Sequence, residues 1–87
     1  MEAWERSQVL AAVREAGFDP LLAEKVITCE SNWRPSARHY NPPVYENGTM
    51  IKDGSWDVGL WQINDVHGRS VAERLDWKEN TRMAIEL

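Results

Sequence analysis

Residues 29–37 read CESNWRPSA, and they mark the point at which a helix gives way to a different kind of structure. Pro35 disfavours helical backbone in the residue before it, so the helix is predicted to end by this point. The same helix is predicted to begin at Asp19, a favoured N-cap residue, with Pro20 in its first position. The segment that leads into the quoted stretch is therefore a helix of about three turns.

Glu30 stands at the end of the predicted inward-facing row of this helix. Leu22 and Val26 precede it at intervals of four residues, and Trp33 follows closely. Burial among such neighbours disfavours an ionised carboxylate, so Glu30 would keep its proton and serve as a general acid. The alternative is an ordinary glutamate at a helix end, with its side chain in water.

The composition is that of one small globular domain. The chain has 87 residues, of which 43% are hydrophobic, and this is too apolar for a disordered chain. Its net charge is −4 and it has no run of basic residues, so it lacks the electrostatic footprint of nucleic-acid binding. No stretch approaches the roughly 20 apolar residues that span a bilayer, and the charged N-terminus is unlike a signal peptide. Neither a nucleic-acid partner nor membrane insertion is expected.

Cysteine and histidine are too sparse to suggest a metal site. Cys29 is the single cysteine, which excludes an intrachain disulfide and a multi-cysteine metal centre. His39 and His67 are isolated in the sequence, and their positions suit a surface or a turn. No metal and no cofactor are therefore expected.

The rest of the chain predicts further helices around a small β-lobe. Residues 3–16 carry apolar residues at helical spacing and are followed by a glycine. Asn47-Gly48 lies between two short β-compatible runs, which is the strongest local signal for a hairpin, and Asp53-Gly54 precedes a third short strand in SWDVG. The expected class is α+β, mainly helical with a small antiparallel β-hairpin lobe.

Helical signals return at LWQIN, residues 60–64. Ser70 and Asp76 are predicted N-caps of two later helices, each with a glutamate three residues on. The last helix, in residues 77–87, has no stop signal, so the fold is expected to be incomplete at its C-terminus. Residues 1–87 are thus expected to form a single, C-terminally truncated domain.

Asp57 offers a second carboxylate in the predicted strand SWDVG. One carboxylate in an apolar pocket and another in a polar, hydrogen-bonded strand is the arrangement that glycosidases use. The first protonates the leaving oxygen, and the second stays ionised to attack the sugar or to stabilise its developing positive charge. Taken alone, Asp57 is better explained as a turn residue, because Asp53 and Gly54 lie close by. The pair of Glu30 and Asp57 is what points to a glycosidase.

The ESNW stretch and the later GSWDVGLWQIN, in this order, resemble the two halves of the active site in the lysozyme superfamily, which includes animal-type lysozymes and lytic transglycosylases. The resemblance implies a lysozyme-like fold with Glu30 as the catalytic acid and Asp57 as the second carboxylate. It also implies that Gln62 and Asn64 line the sugar cleft. Further candidates for contacts with the saccharide are Ser31, Trp33 and Tyr45.

The resemblance covers residues 19–87 and only the N-terminal part of a full family domain. It includes a pairing of Asn80 with Ala84 that is similar to a helix of phage and bacterial relatives. Partner chains or a larger assembly are therefore expected to complete the cleft. A wall-degrading motif without a signal peptide fits a phage lysin domain or a virion component that acts on the bacterial cell wall.

The expected activity is that of a muramidase, which hydrolyses the β-1,4 bond between N-acetylmuramic acid and N-acetylglucosamine in peptidoglycan glycan strands. Two alternatives stay open. A lytic transglycosylase needs only the glutamate and leaves 1,6-anhydromuramyl ends. A structural or glycan-binding virion module would keep the motif without turnover.

Overall fold

The computed structural model describes residues 1–87 and contains four α-helices and five short β-strands. The helices are α1 (Ala3–Glu15), α2 (Pro20–Ser31), α3 (Val71–Leu75) and α4 (Trp77–Glu86). The strands are β1 (Arg38–Asn41), β2 (Val44–Glu46), β3 (Thr49–Lys52), β4 (Ser55–Val58) and β5 (Ile63–Asn64), and a 3₁₀ helix spans Asp65–His67. The α+β class predicted from the sequence is confirmed. None of the four helices combines the length and the apolar character that a membrane span requires.

The turn between α1 and α2 follows from local sequence signals. Gly17 has a φ of +89°, a left-handed conformation that ends α1, and the amides of Gly17 and Phe18 donate to carbonyls in the last turn of that helix. Asp19 caps α2, because its carboxylate accepts a 3.0 Å hydrogen bond from the amide of Leu21. The predicted helix boundaries here are confirmed.

The strands form two antiparallel sheets. β1, β4 and β5 make a three-stranded sheet in the order β1-β4-β5, and β2 pairs only with β3 in a two-stranded ribbon. Asn47 and Gly48 join the ribbon strands with φ values of +51° and +79°, as a type I′ hairpin turn requires. The predicted hairpin and the predicted third strand, β4, are both present.

Two segments differ from the sequence prediction. The residues of β1 carry no local strand signal, and they become a strand because they pair along their whole length with β4, with Tyr40 opposite Trp56. The prediction of helix at LWQIN is wrong. Its first three residues form a turn in which Gln62 has a left-handed φ of +52°, and Ile63–Asn64 is strand β5.

The buried face of α2 is also one residue away from the predicted row. The side chains that point inward are Ala23, Ile27 and Ser31, whereas Leu22 and Val26 are exposed. Ile27 packs in a cluster with Val9 of α1, Trp33 and Leu60. The prediction that Leu22, Val26 and Glu30 face the core is therefore wrong, because α2 carries apolar residues on two adjacent stripes and the cluster selects the second one.

Asn80 connects α4 to the turn that follows β4. It is fully buried, and its side-chain amide donates to the carbonyls of Val58, at 3.0 Å, and Arg74, at 2.8 Å. Its carbonyl oxygen accepts a 2.8 Å bond from the amide of Trp61. Every polar atom of the side chain is thus used, as a buried amide requires.

Arg74 fastens α3 to the three-stranded sheet. Its guanidinium is almost fully buried and donates to the carbonyl of Ile63 at 2.9 Å, to that of Trp56 at 3.3 Å, and to the carboxylate of Asp65 at 2.7 Å. The other oxygen of Asp65 accepts a 2.8 Å bond from the amide of Trp56. The Trp56 amide and the Arg74 guanidinium hold the pKa of Asp65 below its usual value.

Asp65→Asn is expected to destabilise the domain at neutral pH and to matter less in acid. The pKa of Asp65 is lower in the folded state than in the unfolded state, so the ionised carboxylate stabilises the fold at pH values above the unfolded-state pKa. That stabilisation is lost as the pH falls through the folded-state pKa. Urea unfolding between about pH 7 and pH 2.5 should show the variant and the wild type converging as the wild-type carboxylate becomes protonated.

Asp53→Asn is the matched control, because this turn carboxylate bonds only to the amide of the next residue. It should leave the difference between pH 7 and pH 2.5 near that of the wild type. A constant gap between Asp65→Asn and the wild type across the whole range would show that the ion pair with Arg74 adds no pH-dependent stability.

Candidate active site

Glu30 lies in the last turn of α2 with its side chain exposed. The helix ends one residue later, where Asn32 and Trp33 both adopt left-handed backbone, with φ values of +52° and +60°. The burial expected for Glu30 is absent, because the residue lies beside the buried stripe of Ile27 and Ser31 rather than on it. Its carboxyl group is open to an incoming ligand.

Asp57 lies at the centre of a polar cluster on one face of the three-stranded sheet. Asn41 of β1 donates to Asp57 Oδ2 at 3.1 Å, and Asn64 of β5 donates to Oδ1 at 2.7 Å. The same two amides donate to the hydroxyl oxygen of Ser55, at 3.5 Å and 3.0 Å. All four side chains are half-buried. We call this set the amide clamp: Asn41, Ser55, Asp57 and Asn64.

The amide clamp suits an ionised carboxylate. A carboxylate accepts at both oxygens, and each oxygen of Asp57 has an amide N–H donor on its own side. Donors from the two flanking strands also fix the plane of the group, because β1 and β5 lie on either side of β4. The predicted environment of Asp57, a polar and hydrogen-bonded strand, is the one observed.

The end of α2 and the end of β4 are held together by packing and by a small hydrogen-bond network. Trp33 and Leu60, which follow Glu30 and Asp57 by three residues each, belong to the same buried cluster. The carbonyl of Ala37 accepts bonds from the amide of Gly59, at 2.8 Å, and from the side chain of Gln62, at 3.0 Å. These contacts join the two segments that carry the carboxylates.

Two of the predicted substrate-contact residues are buried. Ser31 is 3% exposed and its hydroxyl donates to the carbonyl of Ile27. Trp33 is 4% exposed and its indole N–H donates to the hydroxyl of Thr28 at 3.1 Å. Neither presents a surface to a saccharide, so the prediction of direct contact does not fit this structure. Both instead stabilise the end of α2, because their polar groups bond within that helix.

Gln62 and Asn64 have their donors committed to the protein. Both N–H groups of Gln62 bond to backbone carbonyls, those of Ala37 and Gly59. Both N–H groups of Asn64 bond within the amide clamp, and its carbonyl oxygen accepts from the amide of Val66. They shape the site rather than offer unpaired N–H groups to a sugar. Tyr45, by contrast, is exposed on the β2–β3 ribbon and stays a predicted contact.

Asn41 was missed by sequence reasoning. It belongs to neither motif, and its role depends on the register that places it opposite Ser55 and within reach of Asp57. The available signal was weak: an asparagine just before the Pro42-Pro43 pair, in a stretch without alternation. No group of three or more His, Cys, Asp or Glu side chains is placed to hold a metal ion.

An apolar groove runs along the exposed side of α2. Its floor and walls include Leu22 and Val26 from α2, Trp61, and Ala84 and Ile85 from α4, and it encloses about 160 Å³. Two residues of the row that the sequence predicted to be buried, Leu22 and Val26, therefore line an open groove.

Comparison with protein-family models gave one match. Residues 8–86 match the family described as the transglycosylase SLT domain, which is nearly the whole chain. Searches of curated proteins and of solved structures gave no match to the chain.

Proposed function

This chain belongs to the transglycosylase SLT domain family of lysozyme-like enzymes, which cleave the glycan strands of the bacterial cell wall, and we propose that within this family it acts as a muramidase. It would hydrolyse the β-1,4 bond between N-acetylmuramic acid and N-acetylglucosamine in peptidoglycan. Glu30 would act first as general acid, protonating the leaving oxygen, and then as general base toward water. Asp57 would stabilise the positive charge that develops on the sugar, or attack it.

The amide clamp around Asp57 is the observation that carries this proposal. Asn41 and Asn64 hold both carboxylate oxygens in place, so the position and the direction of the group are set before substrate arrives. A preorganised charge costs little reorganisation when the transition state forms. Glu30 on α2 is exposed and can reach a bound glycan from a different element. Hydrolysis of a glycosidic bond in this way uses two carboxyl groups, an acid that protonates the leaving oxygen and a second, charged carboxylate. Here the two proposed groups lie on separate elements, α2 and β4.

A lytic transglycosylase is the second candidate, because the matched family is described as a transglycosylase domain and membership of it is compatible with either activity. Such an enzyme needs only the acid Glu30, since a group of the substrate itself completes the reaction. The product then ends in 1,6-anhydromuramic acid and is one water lighter than the hydrolysis product. The two candidates therefore make opposite predictions about Asp57.

Asp57→Asn is expected to lower the rate of glycan cleavage by about 10²-fold or more if the enzyme is a hydrolase, because it removes the charge that faces the developing cation. Peptidoglycan digested with the wild type should yield hydrated reducing ends, detected by mass spectrometry. Asp53→Asn, in the neighbouring turn, is the matched control and should keep full activity. Anhydro ends, together with an Asp57→Asn variant that keeps its rate, would assign the chain to the transglycosylases.

We further propose that partner chains or a larger assembly complete the sugar cleft, as the sequence led us to expect, and that the partner also covers the apolar groove along α2. Leu22 and Val26 lie on the same side of α2 as Glu30 and are exposed, which is unfavourable for side chains of this kind in water. Delivery by a phage lysin or virion stays a prediction of the same kind. A glycan-binding module without turnover is the remaining alternative, and the Glu30 variant described below excludes it if cleavage is lost.

A further inference from the structure

The face of the sheet that carries Asp57 holds one more polar side chain, that of His39. In the β1–β4 ladder His39 lies directly opposite Asp57, and Asn41 lies directly opposite Ser55. Residues that face each other across an antiparallel pair project from the same side of the sheet, with their Cβ atoms about 5 Å apart. His39 is therefore the neighbour of the proposed catalytic carboxylate on the β1 side, as Asn64 is on the β5 side.

His39 differs from the other side chains on this face because its ring nitrogens make no hydrogen bond to the protein. Asn41 and Asn64 use both of their N–H donors on Ser55 and Asp57, and all four members of the amide clamp are half-buried. His39 is exposed, and its imidazole makes no hydrogen bond or ion pair with the protein. An imidazole always carries at least one N–H donor. It is thus the exposed donor on the surface where the sugar next to Asp57 would lie.

We propose that His39 is a specificity-determining residue that recognises the lactyl group of N-acetylmuramic acid. This inference rests on the proposed function, since it assumes that the sugar being cleaved lies over Asp57. N-acetylmuramic acid differs from N-acetylglucosamine by its lactyl ether, which brings a carbonyl or carboxylate oxygen. The His39 N–H would donate to that oxygen, and the protein would then prefer peptidoglycan strands to chitin, which lacks the group.

The test measures binding, so that it does not depend on turnover. In a Glu30→Gln background, the affinity is measured for two tetrasaccharides, one of alternating N-acetylglucosamine and N-acetylmuramic acid and the other chitotetraose. His39→Phe keeps a flat ring but loses the donor, and it should weaken binding of the muramic acid ligand by about five- to tenfold, as expected for one lost hydrogen bond. Chitotetraose should bind equally to both proteins. His39→Gln, which restores an N–H donor, should recover most of the affinity.

Arg38→Gln is the matched control. Arg38 is the adjacent cation, but it lies on the other face of the sheet together with Tyr40 and Trp56, whose rings are 5.0 Å apart. It should change neither affinity. The proposal is overturned if His39→Phe binds the muramic acid ligand as tightly as the background protein, or if both ligands lose affinity equally. Failure of the proposed function would be seen separately, as absence of cleavage by the wild type.

Discussion

Glu30→Gln is expected to reduce glycan cleavage by about 10²–10⁴-fold, because the amide that replaces the carboxyl group cannot protonate the leaving oxygen. The substitution keeps the size and shape of the side chain and lies at an exposed position, so the fold should not change. The measurement is the release of soluble fragments from purified peptidoglycan, with circular dichroism as a check on folding.

Glu24→Gln provides the control for this experiment. Glu24 is exposed on α2, as Glu30 is, but it lies in an earlier turn and its substitution should leave activity unchanged. If wild type and Glu30→Gln release fragments at the same rate, Glu30 is not the acid. If neither releases fragments while both bind glycan, the chain is a binding module rather than an enzyme.

Gly59→Ala is expected to prevent folding. Gly59 has a φ of +88°, and a Cβ atom at this position would overlap the carbonyl oxygen of Arg74 and the side-chain amide of Asn80. Both obstacles belong to the buried network that joins α3, α4 and the turn after β4. Relief would require breaking that network, at a cost of more than about 4 kcal/mol, which is most of the stability of a small domain. Thermal unfolding followed by circular dichroism measures the effect.

Gly17→Ala separates backbone strain from the clash. Gly17 has nearly the same φ, +89°, but a Cβ atom there would meet nothing within 4 Å. This variant should lose only the conformational cost of a left-handed alanine, about 1–2 kcal/mol, and should still fold. Equal losses in the two variants would mean that the packing of Gly59 against Asn80 does not hold the turn.

The elements that could be predicted from the sequence are those fixed by near neighbours. The cap at Asp19 and the Asn47-Gly48 turn depend on residues within a few positions of each other, and both are present. Strand β1 could not be predicted in this way, because it exists through pairing with β4, whose residues lie 14 to 20 positions later along the chain. The turn at LWQIN likewise depends on a residue far away in sequence, because the side-chain oxygen of Asn80 accepts a hydrogen bond from the amide of Trp61.

The buried face of α2 shows a different limit. Leu22 with Val26 and Ala23 with Ile27 are two apolar stripes one residue apart, and helical spacing alone accommodates either. Selection depends on which stripe meets Val9, and this contact is between helices. The choice decides whether Glu30 is buried, so an error of one position changes the expected chemistry of the acid.

The two proposed reactive groups of the candidate site could be named from the sequence, but the residues that support them could not. Glu30 and Asp57 were found through two motifs, each of which is contiguous in sequence. Asn41 and His39 matter only because the register of β1 places them beside Asp57. Gln62 and Asn64 lie in the second motif, yet their side-chain amides donate to other groups of the protein, which the sequence does not indicate.

The most direct test is a crystal structure of the Glu30→Gln protein with a bound tetrasaccharide of alternating N-acetylglucosamine and N-acetylmuramic acid. It shows whether the side chains at positions 30 and 57 lie on either side of the same glycosidic bond. We expect the side chain at position 30 within about 3.5 Å of a glycosidic oxygen and Asp57 beneath the adjoining sugar ring, with the two groups about 5–9.5 Å apart. A saccharide bound away from the amide clamp, or with the two side chains on different sugars, would contradict this arrangement.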